Sequence, residues 1–329
     1  VQATVERLRE RLGDVVPDAE LRLKADLAVE INRLKHERNA LILGHNYMEP
    51  VLFHSVPDVT GDSLYLSRVA AKAEADIVIF CGVRFMAETA KILNPSRKVL
   101  LPSAEGGCSL AASITAEDVR RLKEQYPGVP VVTYVNTYAD VKAESDYCVT
   151  SGNAEAMVRH LRELGHDRIL FLPDEYLGKG VAANTDVEII LWNGHCEVHE
   201  QFSPEEIANY RRQVPDVKVI AHPECDMDVL EEADMVGSTS GMINWVAENR
   251  PQQVVMITEC SMSDNVAAEY PELEFVRPCT LCPHMKRITL PSIVRALETM
   301  QHPVEIDPAM AERARRAVER MLAIKRPPA

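Results

Sequence analysis

No stretch of this 329-residue chain approaches the roughly 18 consecutive apolar residues that a membrane span needs. The opening, VQATVERLRERLGDVV, is amphipathic and charged and lacks the apolar core of a signal peptide. Positive charge is also in deficit. With 36 Lys and Arg against 50 Asp and Glu, the net charge is -14, which argues against general binding to nucleic acid or an anionic membrane. A small anionic substrate is not excluded, because the local field of a pocket can oppose the net charge. The expectation is a cytosolic protein. What the chain does have is 46% hydrophobic residues, enough for a substantial core, and a length that suggests two or three domains.

The eight cysteines do not read as a disulfide framework in a cytosolic chain of this size. Cys81 in DIVIFCG and Cys148 in DYCVTSG sit inside apparent strands, where a thiol packs as a small apolar group. Cys225 and Cys260 take the same structural reading.

Short β-branched apolar runs alternate with amphipathic stretches, the pattern of a parallel α/β protein. The first strands of three groups are ALILGHNY (40–47), VPVVTYVN (129–136) and VKVIAHPE (217–224). The second are expected at 75–82, 145–152 and 233–240, and the third at 97–103, 167–174 and 253–260. From Leu43 to Val132 and on to Ile220 the steps are 89 and 88 residues, which suggests three copies of one unit. The units are drawn at 22–112, 113–202 and 203–300, with helical segments at 1–21 and 301–329. Ser203-Pro204-Glu205-Glu206 reads as a capping box, Asn153 or Ser151 as the cap of the helix after it, and Asp307-Pro308 as the start of a C-terminal helix. Polar residues gather after the strands, and parallel sheets bind ligands at the carboxyl ends of their strands. Three such units facing one another would enclose a central cavity.

Cys108, Cys196 and Cys282 each follow the expected third strand of a unit, at intervals of 88 and 86 residues. Three thiolates are too soft a set for magnesium or calcium; zinc or an iron–sulfur cluster suits them. A four-iron cluster on three cysteines keeps one iron open to act as a Lewis acid. Other readings stand beside this one. CTLC (279–282) is a lone CxxC, weak evidence for zinc without a second pair nearby, and could be a redox couple of Cys279 and Cys282. GKGVAA (178–183) imitates a dinucleotide loop without the acidic ribose partner.

The segments GHNYMEP, GDSLYLSR, CGVRFMAETAKIL, GCSLA, TYVNTYADVKAESDYCVTSGN, LPDEYLGKGVA, WNGHCEVH, HPEC, GSTSGM and CPHMKRITL together resemble the quinolinate synthase family, in the family's order and over about residues 40–290. The resemblance implies three similar α/β/α domains with parallel sheets in a pseudo-threefold arrangement around a central active-site cavity. It implies a [4Fe-4S] cluster on Cys108, Cys196 and Cys282. It also implies a transferase of NAD biosynthesis that condenses iminoaspartate with dihydroxyacetone phosphate to quinolinate, phosphate and two waters. An iminoaspartate-producing enzyme would be the functional partner.

Residue roles follow from the motif match and from what each group can do. His45, Ser63, Tyr134 and Asn136 offer hydrogen bonds to carboxylate or phosphate oxygens, as do Ser151, His222 and Thr239. Ser238 and Thr239 precede an expected helix whose first amides favour an anion. Glu224 is the candidate general acid–base and also touches substrate. Tyr47 could shuttle protons, and His199, three residues after Cys196, should lie beside the cluster. Two rivals are an aconitase-like hydro-lyase acting on a hydroxy acid and a non-enzymatic α/β protein with structural zinc.

Overall fold

A strand covered by helices on both faces has no polar side, so its residues form an unbroken apolar run. Ile77–Cys81 is such a run, buried at every position. The computed structural model describes residues 1–278 and 280–324, and among these it forms three four-stranded sheets. The first contains β1 (Ala40–His45), β2 (Val59–Gly61), β3 (Ile77–Cys81) and β4 (Lys98–Leu100), in the order β2-β1-β3-β4. The second contains β5 (Val131–Tyr134), β6 (Tyr147–Val149), β7 (Arg168–Leu172) and β8 (Glu188–Leu191), in the order β6-β5-β7-β8. The third contains β9 (Lys218–Ala221), β10 (Met235–Val236), β11 (Gln253–Ile257) and β12 (Glu274–Val276), in the order β10-β9-β11-β12. The pairings within the first two sheets are parallel, as are β9 with β10 and β11 with β12. The α/β reading holds.

The grouping of strands needs a correction. Each sheet has four strands, and the expected groups of three missed β2, β8 and β12. These are edge strands of three or four residues without one fully buried position, so they carry no continuous apolar signal. With them restored, β2 matches β6 and β10, and each cysteine loop follows the fourth strand of its repeat instead of the third.

One aspartate recurs with the sheets and demonstrates the repetition at the level of single hydrogen bonds. Asp58, Asp146 and Asp234 lie 88 residues apart, each just before the edge strand. Each carboxylate accepts the N–H of a first-strand residue: Ile42 at 2.8 Å, Val131 at 2.9 Å and Val219 at 2.8 Å. Each aspartate N–H returns a bond to the carbonyl of that same residue. A coincidental regularity in the spacing of strands would not reproduce this contact three times.

The helix signals hold with one exception. Ser203 forms the capping box with Glu206, and Asp307 caps the helix Pro308–Ala323. Asn153 precedes the helix Ala154–Glu163 but makes no side-chain cap. Its Oδ1 accepts from the Thr150 N–H and its Nδ2 donates to the Met321 carbonyl, which fastens the C-terminal helix.

By contact density the chain forms two compact units, Val1–Gly107 with Arg250–Val304, and Cys108–Asn249 with the chain from Glu305 on. In the first, the helix Asp18–Glu37 packs on Leu290–Thr299. In the second, Val131, Leu170 and Leu172 form a core with Ile114, Val119 and Val141, all at most 3% exposed.

GKGVAA lies inside the helix Glu175–Ala183, so its amides serve the helix and cradle no phosphate. Its two glycines differ physically. A Cβ on Gly178 would come within 2.4 Å of Leu191 Cδ2 and 3.0 Å of the fully buried Phe171 ring. Gly180 meets nothing within 4 Å and opens on a cavity of about 260 Å³. Gly178→Ala should therefore destabilise by about 1–2 kcal/mol. Gly180→Ala should stabilise by about 0.5–1 kcal/mol. Urea denaturation of the two variants checks the opposite signs.

Candidate functional site

The expected site residues occupy matching places at the ends of the strands. His45, Tyr134 and His222 stand at one position at the end of the first strand of each repeat, with steps of 89 and 88 residues. Two residues on, with the same steps, stand Tyr47, Asn136 and Glu224. Ser63, Ser151 and Thr239 follow the three edge strands β2, β6 and β10 at steps of 88. The cysteine loops share a hydrogen bond as well. The N–H that opens the helix after β3, β7 or β11 (Arg84, Glu175, Cys260) donates to the carbonyl of Gly106, Gly194 or Thr280 at 2.7, 2.9 and 2.9 Å. That carbonyl lies two residues before Cys108, Cys196 or Cys282.

In the second unit Glu224 is the centre. It is 3% exposed, and both carboxylate oxygens are engaged. Oε1 accepts from the Tyr134 hydroxyl and from Asn136 Nδ2, the latter at 3.1 Å. Oε2 lies 2.8 Å from His199 Nδ1 and 3.9 Å from His222 Nδ1. The His199 and His222 rings stack at 4.7 Å, and Ser151 Oγ lies 3.4 Å from His222 Nε2. His199 Nδ1 is also 3.2 Å from Cys196 Sγ. One imidazole thus bridges the carboxylate and the thiol.

Burial by itself would push the Glu224 carboxyl up. The charges of His222 and His199, with hydrogen bonds from His199 and Tyr134, outweigh burial and hold it well below the usual carboxylate range. Cys196 goes the other way, driven well up by burial and then by the negative charges of Glu224 and Cys108. Two thiolates beside a buried carboxylate repel one another unless a cationic centre offsets them. The donor set therefore fits a metal or metal cluster with soft ligands. Cys196, His199 and Glu224 could hold a metal ion, since their ligand atoms all lie within 4.8 Å of one another.

Ser238 and Thr239 are buried at the start of the helix Thr239–Asn249, where Ser238 Oγ accepts the Gly241 N–H. The helix begins at Thr239 itself, so this residue belongs to its first turn. Cys81, Cys148, Cys225 and Cys260 are buried.

In the first unit the rings of His45 and Tyr47 meet edge to face at 4.8 Å, and the Tyr47 N–H donates to His45 Nδ1. The Tyr47 hydroxyl lies 2.6 Å from Thr258 Oγ1. Ser63 opens the helix Ser63–Ala71, and no described hydrogen bond joins it to that pair. The Cys282 N–H donates to Glu259 Oε1 at 3.4 Å. The suggested couple of Cys279 with Cys282 involves a residue outside those described.

Asp174 was not anticipated. It is fully buried, its Oδ1 caps the helix Glu175–Ala183 through the Leu177 N–H, and Oδ2 has no hydrogen-bond partner among the described residues. Burial first, and then the Glu224 charge, pushes its carboxyl well up. The motif LPDEYLG signals the cap, but nothing in the sequence signals a neighbouring carboxylate.

A family model described as Quinolinate synthetase A protein matches residues 29–323. The chain belongs to this family. Quinolinate synthase 2 of Mesorhizobium japonicum is 57% identical over 98% of this chain and 99% of its own length. The quinolinate synthases of Sinorhizobium medicae and Caulobacter vibrioides are 54% and 52% identical, each over 99% of this chain and over 90% and 89% of their own. As a family member the chain is an enzyme of the quinolinate synthase type that acts on small molecules in NAD biosynthesis. No described helix is long and apolar enough to cross a membrane.

Proposed function

We propose that the chain condenses iminoaspartate with dihydroxyacetone phosphate, releasing quinolinate, phosphate and two waters, with a [4Fe-4S] cluster held by Cys108, Cys196 and Cys282. Three protein ligands would leave one iron open, and the cluster would supply a Lewis acid for the dehydrations. The observation that carries the reading is the buried Glu224 carboxylate, engaged at both oxygens and joined through His199 to Cys196.

The protein residues divide the remaining work. Each water leaves with one proton gained at oxygen and one lost elsewhere, so a group that both accepts and donates is needed. Glu224, ionised at rest, takes up that proton and returns it, and Tyr134 and Asn136 fix the carboxylate in orientation. Tyr47, aligned by Thr258, is the second hydroxyl donor. Substrate carboxylate and phosphate oxygens take hydrogen bonds from His45, Ser63, Ser151, His222, Ser238 and Thr239. Burial of Glu224 and the two histidines keeps water from competing for these bonds. The repeats take the boundaries 22–112, 113–202 and 203–300. The enzyme works in the cytoplasm beside an enzyme that makes iminoaspartate, a hydrolysable imine.

Anaerobically purified chain should hold about four irons and four sulfides. Given both substrates, it should release quinolinate and phosphate in equal amounts. Turnover of a hydroxy acid alone would replace this reading with a hydro-lyase, and zinc without sulfide would remove the cluster from it.

A further inference from the structure

One buried carboxylate takes no part in the chemistry proposed above. Glu259 precedes the helix Cys260–Glu269 and is fully buried. Its Oε2 accepts the Ser261 N–H at 2.9 Å, an ordinary cap. Its Oε1 meets the Lys286 ammonium at 2.9 Å and the Cys282 N–H at 3.4 Å. Lys286 reaches two further acceptors, the Tyr47 carbonyl at 3.1 Å and Ser261 Oγ at 2.5 Å.

The loop around Tyr47 is held from the same side. Asn265 Nδ2 donates to the carbonyls of Asn46 and Met48 at 3.1 and 2.8 Å, so three successive carbonyls are taken by Asn265 and Lys286. The Tyr47 hydroxyl is tied to Thr258, the neighbour of Glu259. The Cys282 loop is held in parallel, through the Cys260 N–H to the Thr280 carbonyl and the Lys286 N–H to the Cys282 carbonyl.

The other repeats show that helix capping does not require this ion pair. Val83 holds the equivalent position in the first repeat and starts its helix with no side-chain cap bond. Asp174 holds it in the second repeat and is equally buried, with Oδ2 unpartnered among the described residues. Only the third repeat combines a cap carboxylate with a lysine four residues after its cysteine.

We propose that Glu259 and Lys286 are a positioning pair that locks the Tyr47 loop to the Cys282 loop, so that the hydroxyl and the sulfur keep one fixed orientation. Its catalytic meaning rests on the function proposed above. A fully buried carboxylate paired with a half-buried ammonium that meets three acceptors opposes motion of either loop alone.

Amide hydrogen exchange on the full-length chain without the cluster tests the lock directly. Lys286→Met removes three contacts at once and should speed exchange about tenfold or more in both segments 45–50 and 280–287. Lys286→Arg should restore most of the protection. Faster exchange around residue 286 with residues 45–50 unchanged would overturn the proposal. In the loaded enzyme, Glu259→Gln keeps the cap and the shape. It should retain iron and sulfide with KM within about twofold, lower kcat about tenfold, and shift the electron paramagnetic resonance spectrum of the reduced cluster. An unchanged kcat and spectrum would also overturn it. Exchange is read with neither cluster nor substrate, so the lock stands or falls apart from the functional reading. Wild-type chain that binds no cluster would sink that reading alone.

Discussion

Cys196→Ala should remove the proposed cluster, and turnover with it. Iron and sulfide should fall from about four of each per chain to background, because two cysteines cannot retain a cube that normally needs three or four. The sulfur is beside His199 and within the electrostatic reach of Glu224 and Cys108, and no other thiol of the loop can take its place. Cys108→Ala and Cys282→Ala should behave alike, whereas Cys148→Ala and Cys279→Ala should keep the metal. Anaerobic iron and sulfide analysis with the visible spectrum reads all five variants. Full cluster in Cys196→Ala would remove this residue from the ligand set, and loss of cluster in all five would point to general instability.

Glu224→Gln gives the second large effect, with the opposite signature. The amide carbonyl still accepts from Tyr134 and Asn136, so the packing and the proposed cluster should persist. What is lost is a group that can take up and return a proton, worth roughly 10²- to 10⁴-fold in rate. Iron and sulfide should match wild type while kcat for quinolinate formation falls by about that factor. Tyr134→Phe removes one hydrogen bond and leaves the carboxylate, and should cost about tenfold or less. If Glu224→Gln kept near-normal kcat, proton transfer would have to be assigned to another residue.

The two predictions draw on different information. Cys108, Cys196 and Cys282 are visible in the chain as nearly equal intervals, because a repeated unit puts its loops at repeated places. The first strands were visible for the same reason, being apolar at most positions. The edge strands β2, β8 and β12 were not, since half-exposed strands of three or four residues lack the unbroken apolar run that marks a buried one. Their absence shifted the matching of strands between repeats. Restoring them aligns the three aspartates, the three capping-position residues and the three cysteine loops.

Within the site, the sequence marked Glu224, His199 and Tyr134 as chemistry-bearing residues after strands. It could not show that His199 Nδ1 serves both Glu224 and Cys196, or that Tyr134 and Asn136 approach the same oxygen from 90 and 88 residues away. Asp174, Glu259 and Lys286 went unmarked because each reads as an ordinary cap or surface charge. Burial of the two carboxylates, and the company that Lys286 keeps with one of them, make them unusual.

The chain order alone determined the α/β class, the triple repeat and the near-equal spacing of three cysteines, because hydrophobic periodicity and loop spacing are written along one dimension. Which carboxylate meets which imidazole, and which charges are shut away from water, was decided only by folding. Those relations depend on distances of about 3 Å between residues far apart in sequence, and on the loss of solvent around them.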